Sequence, residues 1–340
     1  MFLNKKKQTY IIAEAGINHK GSLKIAKKFI AEAKKCGADA IKFQSFISEE
    51  VVTKNLDLAK YQKKNLKNKK IKMIEMIKKF ELSKEDQKIL YNFAKKIKID
   101  FISSAFDLIS LDFLINDLDL KILKIPSGEI TNFPYLKKIS NTKKNIILST
   151  GMSSFKEIQK AIHILTSSNL KKNKITLLHC NTAYPTPFKN VNLNVLKVIK
   201  KKFKTNFGYS DHTLGEEVSI AAVALGATVI EKHFTLNKNW EGPDQKASLN
   251  PEELKKLISS IRNINESMGT FIKTVTASES KNVIFARKSI VARKSIKKGE
   301  KFSLINLTVK RPGDGISPMN WNKFINKKSK FNYKKDDKIK

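Results

Sequence analysis

The sequence predicts a (β/α)8 barrel followed by a small C-terminal domain. Short apolar runs alternate with helix-like segments eight times within residues 1–269, which is typical of a parallel sheet covered by helices. Polar side chains lie at or just after the ends of all eight runs. A closed ring of strands can bring them to one pocket, whereas an open sheet would separate its edge strands. No Gly-x-Gly-x-x-Gly follows a strand, so a dinucleotide-binding sheet lacks its phosphate loop.

The first two predicted strands lead directly to polar residues. The apolar run 10–13 ends at Glu14. A helix is predicted after it, because apolar residues recur there at the spacing of an amphipathic helix. In the run 40–46, Ile41 and Phe43 face one side, while Lys42 and Gln44 face the other. Polar residues that point into a barrel mouth explain this alternation.

The remaining elements repeat the pattern. The Lys-rich stretch 48–80 has only helical patches, so we interpret it as an insertion or a lid over the site. Further strands are predicted at residues 100–106, 121–127, 146–151, 175–181, 206–212 and 228–235. Helices are predicted near residues 84–98, 153–165, 192–203, 213–227 and 251–268.

The periodic pattern ends after Gly269. Residues 270–282 are polar and unpatterned, which predicts a linker. Residues 283–340 contain short strands and several Gly and Pro turns. A domain of this size is marginally stable alone, so we expect it to dock on another surface.

The composition restricts the class of partner. The formal net charge is +36, but only four of the 67 basic residues are Arg and the lysines are spread over nearly every segment. Nucleic-acid-binding proteins usually concentrate Arg and aromatic residues on one face, so we expect no nucleic-acid partner. Two cysteines form no disulfide framework and indicate a reducing, cytoplasmic location. No signal peptide or membrane-spanning run is predicted.

Two histidines lie at the ends of adjacent predicted strands. Because the carboxyl ends of parallel strands meet at one edge, the imidazoles of His212 and His233 can converge on one ion. Two neutral imidazoles suit a divalent transition metal, especially if carboxylates complete the shell. The alternative is that each histidine is simply hydrogen-bonded in its loop.

Two lysines lie inside predicted strands, where a solvated face would not need them. Together with Ser127, Ser149 and Ser210, Lys42 and Lys124 could bind a phosphate through cations and hydroxyls. The alternative is that each lysine pairs with a buried glutamate.

Two carboxylates flank the same predicted mouth. Near lysines and a metal, Glu14 and Glu129 can be ionised and ready to accept a proton. The pattern therefore points to bond formation between a phosphorylated molecule and a carbonyl compound.

A series of motifs in chain order resembles the sialic acid synthase family, which includes N-acetylneuraminate, legionaminate and pseudaminate synthases. The motifs are IAEAGINH at 12–19, IKFQ at 41–44, KIPSGE at 124–129, LSTGM at 148–152, HCNTAYPTP at 179–187, GYSDH at 208–212, EKHF at 231–234, GPD at 242–244 and KRPG at 310–313. The resemblance implies a (β/α)8 barrel joined to an antifreeze-like (SAF) domain. It also implies that phosphoenolpyruvate and water condense with an N-acetylated mannose-type sugar, with release of phosphate by C–O cleavage.

The resemblance implies a role for each matching residue. His212 and His233 look like ligands of Mn²⁺ or Mg²⁺, Glu14 like part of the metal and water environment, and Glu129 like the group that transfers a proton. The expected phosphoenolpyruvate contacts are Lys42, Ser104, Lys124, Ser127, Ser149, Thr182 and Ser210. The expected sugar contacts are Gln44, Tyr184 and Asp244, together with Arg311, which would reach across a domain-swapped homodimer to the N-acyl group.

Three function classes remain open at this point. The first is the condensing enzyme, whose sugar is N-acetylmannosamine or 2,4-diacetamido-2,4,6-trideoxymannose. The second is a barrel that has lost catalysis and acts as a binding module. The third is an aldolase in which Lys124 forms a Schiff base.

Overall fold

The computed structural model describes residues 8–59, 62–63 and 71–340. The chain forms two compact units, Met1–Gly269 and Thr270–Lys340. Eight parallel strands of the first unit close a barrel in sequence order, which confirms the predicted fold. They are β1 (Tyr10–Gly16), β2 (Ala40–Ser45), β3 (Asp100–Ala105), β4 (Ile122–Ile125), β5 (Asn145–Ser149), β6 (Ile175–Cys180), β7 (Asn206–Asp211) and β8 (Val229–His233).

Helices cover the outside of this barrel. In chain order, those in the described part of the first unit are α1 (Leu23–Cys36), α2 (Ser48–Val51), α3 (Met73–Lys78), α4 (Lys84–Lys96), α5 (Leu108–Asp112), α6 (Phe133–Ser140), α7 (Phe155–Leu165), α8 (Val195–Phe203), α9 (Glu217–Ala224) and α10 (Pro251–Ser267). None of the helices in the described residues is long and apolar enough to cross a membrane.

Side chains alternate between the two faces of each strand, so the barrel has an outer core, an inner core and a polar site above the inner core. Outward-facing strand residues pack on the helices in the main core. A small inner cluster fills the barrel, and its members are Tyr10, Ile12, Ala40, Ile102, Ile147, Leu178 and Val229. Because side chains two residues apart share a face, these inner residues are followed on the same face by Glu14 after Ile12 and by Lys42 after Ala40. The upper end of the barrel interior is therefore polar.

The second unit has a core of its own and a helix that the sequence analysis did not predict. Strands β9 (Ser289–Ala292) and β10 (Leu307–Lys310) pair antiparallel. Helix α11 (Ala277–Ala286) begins within the predicted linker 270–282, where no periodic pattern was predicted. Thr276 and Glu279 form a reciprocal capping box that satisfies the first backbone N–H groups of this helix.

Candidate active site

A cavity of about 310 Å³ lies at the carboxyl ends of the barrel strands. Most of the predicted site residues line it. They are Glu14, Lys42, Gln44, Ser104, Lys124, Ser127, Ser149, Thr182, Tyr184, Ser210, His212, His233 and Asp244. Strand register explains this convergence, because Glu14 lies opposite Lys42 on one side and opposite His233 on the other.

Both lysines are buried and paired. Lys42 Nζ lies 2.7 Å from Glu14 Oε2 and donates a hydrogen bond to Ser104 Oγ at 3.3 Å. Lys124 Nζ donates to Ser149 Oγ at 2.8 Å and lies 3.6 Å from Glu231 Oε1. The lysines therefore have glutamate partners, as one alternative predicted, yet both also line the cavity.

Glu231 is the main charged residue of the cavity to which the sequence interpretation gave no role, although it is one of the polar residues predicted at the strand ends. Its Oε1 accepts a hydrogen bond from Ser210 Oγ at 3.0 Å, and its carboxylate lies between Lys42 and Lys124. The signal was present in the sequence, because Glu231 precedes His233 by two residues and so shares its face of β8.

The environment separates the pKa values of the two glutamates. Burial raises the pKa of Glu14 to about 7, and the neighbouring Lys42 only partly offsets that rise. Burial also acts to raise the pKa of Glu231, but Lys124 and Lys42 outweigh it and hold that pKa below its ordinary value. Two carboxyl groups with divided pKa values are typical of an acid–base site. Glu231 is thus ionised near pH 7, while Glu14 can gain or lose a proton.

The two lysines also differ. Burial acts to lower the pKa of Lys42, but Glu14 and Glu231 more than compensate and raise it. For Lys124, burial dominates and lowers the pKa, although Glu231 opposes the change. The cavity therefore holds one firmly protonated cation and one whose proton is bound less tightly.

Hydroxyl groups surround these charges. The backbone N–H of Gly151 donates to Ser127 Oγ at 3.0 Å. A side chain at Gly151 would place its Cβ 2.8 Å from Thr182 Cγ2 and 2.9 Å from Ser127 Oγ, closer than real contacts allow. The glycine in the LSTGM motif therefore lets the loop after β5 approach the cavity wall.

His212 and His233 face each other, with their ring centroids 5.3 Å apart. Tyr184 packs against both rings, at 4.2 Å from His212 and 5.5 Å from His233. Nδ1 of His212 is hydrogen-bonded to the backbone carbonyl of Asn181, so its proton is on Nδ1 and Nε2 carries the lone pair.

The two imidazoles fit a metal ion chemically. Burial lowers the pKa of His212 to about 4 and holds that of His233 well below its ordinary value, so both rings are neutral near pH 7. Nδ1 of His233 is buried without a hydrogen-bond partner among the described residues. Within those residues no three His, Cys, Asp or Glu side chains are grouped to hold a metal. If an ion binds here, the pair would supply two protein ligands and leave other positions open.

Two predicted site residues do not line the cavity. Glu129 is half-buried on the loop after β4, and its Oε2 accepts a hydrogen bond from Asn132 at 2.6 Å. Arg311 is an exposed residue of the second unit, and its Nε donates to the carbonyl of Ala286 at 3.2 Å.

Described residues of the segment 48–80, which the sequence predicts to be an insertion or a lid over the site, form part of the cavity lining. Gln62, Met76 and Ile77 line the cavity together with Ile17 and Phe106. None of these five was predicted as a site residue, because isolated apolar residues such as Ile17, Met76, Ile77 and Phe106 carry no chemical signal of their own.

The upper end of this parallel barrel holds buried lysines, hydroxyl groups and two carboxyl groups with different pKa values. These features define a (β/α)8-barrel enzyme whose site suits a small anionic substrate. The NeuB family model matches residues 29–273, and the SAF domain model matches residues 287–339. The chain belongs to the NeuB family, and a SAF domain follows its barrel.

Named relatives match almost the whole chain. The N,N'-diacetyllegionaminic acid synthase of Campylobacter jejuni is 53% identical and covers 98% of this chain and 99% of its own length. The enzyme of the same name from Legionella pneumophila is 43% identical over 91% of this chain and 87% of its own. The crystal structure of the N-acetylneuraminic acid synthetase of Leptospira borgpetersenii, in complex with citrate, matches with a TM-score of 0.71 and 34% identity over 81% of this chain and 90% of its own.

Proposed function

We propose that this enzyme condenses phosphoenolpyruvate with 2,4-diacetamido-2,4,6-trideoxymannose and water to give N,N'-diacetyllegionaminic acid and phosphate. The observation that carries the proposal is the convergence of Lys42 and Lys124 with hydroxyls, two carboxylates and a histidine pair in one cavity. The choice of sugar follows the two relatives that share the name N,N'-diacetyllegionaminic acid synthase.

The charged side of the cavity suits phosphoenolpyruvate. Its phosphate and carboxylate need cations and hydrogen-bond donors, which Lys42, Lys124 and the serine hydroxyls provide. Bringing these groups together in advance removes much of the cost of ordering them around the substrate.

Three of the four predicted sugar contacts, Gln44, Tyr184 and Asp244, line the same cavity. Gln44 offers an amide, and its Nε2 donates to Glu14 Oε1 at 3.4 Å. Asp244 offers a buried carboxylate, and Tyr184 packs beside the two histidines. Amide, carboxylate and aromatic groups are suited to the hydroxyls, acetamido groups and apolar face of a sugar.

His212 and His233 would hold Mn²⁺ or Mg²⁺. When bound, such an ion supplies Lewis acidity for the aldehyde oxygen of the open-chain sugar. Their neutral rings and the unpartnered Nδ1 of His233 support this assignment.

The reaction forms one C–C bond, and at C2 a C–O bond to water replaces the C–O bond to phosphate. C3 of phosphoenolpyruvate bonds to the aldehyde carbon, whose oxygen takes up a proton and becomes a hydroxyl. Water adds at C2 and loses a proton, which balances the proton taken up by that hydroxyl; phosphate then leaves with the bridging oxygen and the second water proton, and C2 becomes a ketone. Glu14 is the carboxylate best suited to accept that proton, because it lines the cavity and has a pKa of about 7. The proton-transfer role of Glu129 stays a prediction, since this residue lies off the cavity wall.

The proposal is tested by measuring phosphate release from phosphoenolpyruvate with 2,4-diacetamido-2,4,6-trideoxymannose, with the product identified by mass spectrometry. We expect release that depends on the sugar, stops with EDTA and returns with Mn²⁺. ¹⁸O in the bridging position should appear in phosphate. Release without consumption of any sugar, or product without the added three carbons, would contradict the function; full activity after exhaustive chelation would contradict the metal assignment alone.

One observation favours a second candidate function. Burial lowers the pKa of Lys124, and a lowered pKa is what a Schiff-base lysine needs. Borohydride reduction in the presence of substrate separates the two reactions: a covalent adduct at Lys124 would support the aldolase, whereas the condensing enzyme should yield none.

We further propose a domain-swapped homodimer in which Arg311 of one chain contacts the sugar N-acyl group at the barrel of the other. Arg311 is exposed in the second unit, and it is one of only four arginines in a chain whose usual cation is lysine. A guanidinium forms a planar fork that suits an oxygen acceptor better than an ammonium does.

A further inference from the structure

Part of the cavity lining is apolar, and its residues pack in one hydrophobic cluster. Four residues form it, and we call them the apolar wall: Ile17, Met76, Ile77 and Phe106. Ile17 follows β1, Phe106 follows β3, and Met76 and Ile77 lie on α3. The assigned mechanism uses none of them.

The apolar wall belongs to a separate hydrophobic cluster. Ile17 and Met76 pack in it with Phe46, Leu58 and Phe80, apart from the main barrel core, and Met76 is only 2% exposed. Ile77 and Phe106 are half-buried against the same cluster. Packing within this cluster therefore fixes the apolar surface that these residues present to the cavity.

Helix α3 is fixed to the barrel by close backbone contact. Gly21 has a φ of +70°, and a Cβ at that position would lie 2.4 Å from the carbonyl oxygen of Lys79, directly after α3. Lys78 Nζ lies 2.6 Å from Glu49 Oε1, which ties α3 to α2. The glycine that follows the IAEAGINH motif thus allows α3 to approach the loop after β1.

The apolar wall suits the sugar rather than phosphoenolpyruvate, whose phosphate and carboxylate require cations and hydrogen-bond donors. A buried hydroxyl that meets only apolar groups loses its hydrogen bonds to water, whereas a methyl group gains. The two sugars share an acetamido group at C2 and differ at C4 and C6. N-acetylmannosamine carries hydroxyls at both positions, while the 2,4-diacetamido-6-deoxy sugar carries an acetamido group, with its methyl, at C4 and a methyl group at C6.

We propose that the apolar wall is the specificity determinant that selects methyl-bearing 6-deoxy diacetamido sugars over N-acetylmannosamine. This inference rests on the proposed function. It assigns to the segment around α3 a role in recognising the end of the sugar remote from the aldehyde.

The test compares two nearly isosteric variants, Ile77→Val and Ile77→Thr, in the intact enzyme. The measured quantity is the ratio of kcat/KM for 2,4-diacetamido-2,4,6-trideoxymannose to kcat/KM for N-acetylmannosamine. We expect Ile77→Val to keep this ratio within about threefold and Ile77→Thr to lower it by on the order of tenfold, since one methyl-to-hydroxyl exchange in a pocket has effects of this size. The KM for phosphoenolpyruvate should be unchanged in both.

Ile74→Thr is the matched control. Ile74 is half-buried on the same helix but does not line the cavity, so this variant should keep the wild-type ratio. Equal ratios in Ile77→Val and Ile77→Thr, or an equal fall in Ile74→Thr, would overturn the inference while leaving the condensation intact. Absence of phosphate release with either sugar in the wild-type enzyme would overturn the proposed function and the inference together.

Discussion

Single side chains in this cavity acquire their chemistry from burial more than from their type. Glu14 and Glu231 are the same residue type on the neighbouring strands β1 and β8, yet burial dominates at Glu14, whereas two lysines together outweigh burial at Glu231. The result is one carboxyl group with a pKa of about 7 and one that is ionised near pH 7. The difference between the two pKa values arises from where each carboxylate lies relative to Lys42 and Lys124.

Asp244 is a residue whose pH dependence can be worked out directly. Burial raises its pKa from 3.8 to about 6. The folded protein therefore holds this proton more tightly than the unfolded chain, and its free energy of unfolding should fall as pH rises from about 4 to about 6. Asp244→Asn lacks this ionisation, so relative to wild type it should gain about 2–3 kcal/mol between pH 4 and pH 7. Urea denaturation at both pH values measures the difference.

The same variant should lose affinity for the sugar. If Asp244 contacts the sugar, Asp244→Asn raises the KM for the sugar by at least tenfold and leaves the KM for phosphoenolpyruvate unchanged. A stability difference that stays constant with pH would contradict the burial argument, and an unchanged sugar KM would contradict the contact.

At the scale of elements, a buried ion pair joins β7, β8 and α9 behind the histidines. Lys232 Nζ lies 2.8 Å from Asp211 Oδ2, and both side chains are 0% exposed. Lys232 also donates to the carbonyl of Thr213 at 2.7 Å, and Ser219 of α9 donates to Asp211 at 2.6 Å. The pair thus connects the strand ends that carry His212 and His233.

Removal of one partner should be costly. Lys232→Met leaves the Asp211 carboxylate buried without its cation, so we expect a loss of about 3–5 kcal/mol in the free energy of unfolding. The surface pair Lys238–Glu253, at 2.9 Å with side chains 35% and 41% exposed, provides the control. Lys238→Met should cost less than about 1 kcal/mol. Similar losses in both variants, measured by urea denaturation, would show that burial of the first pair is unimportant.

At the scale of the whole molecule, several large apolar side chains of the second unit and its linker are exposed in the single chain. Phe271 is fully exposed, and Ile272 and Phe285 are each 74% exposed. Exposed apolar groups of this size usually mark an interaction surface, which supports the proposed dimer. Helix α11 limits the linker, because a helix advances about 1.5 Å per residue where an extended chain covers about 3.3 Å. Residues 270–276 are left to provide most of the reach.

The domain-swapped dimer predicts complementation between two inactive variants. Arg311→Ala disables the second unit's contribution, and Glu14→Gln disables the barrel. After denaturation and random re-association of equal amounts, half of the dimers are mixed, and each mixed dimer has one site with both groups intact. About a quarter of wild-type activity should return. No recovery in mixed dimers verified by mass spectrometry would mean that Arg311 serves its own barrel or none.

The sequence by itself determined the fold and most of the site. Eight strand–helix repeats predicted the barrel, and the period-2 alternation of strands such as β2 indicated which side chains face its interior. Strand ends converge by topology, so the sequence alone predicts that Lys42, Lys124, His212 and His233 share one pocket. These features depend on local patterns, which the order of residues records directly.

Only the tertiary structure decided which groups interact and in what state. Four features depend on residues that are distant in the chain. They are the placement of Glu231 between two lysines, the pKa of Glu14, the position of Glu129 off the cavity, and the apolar wall. Burial and charge are properties of a three-dimensional environment and leave no periodic trace in the sequence. Helix α11, by contrast, does leave a local signal in the sequence, because Thr276 and Glu279 have the spacing of a capping box. The polar composition around them hid that signal.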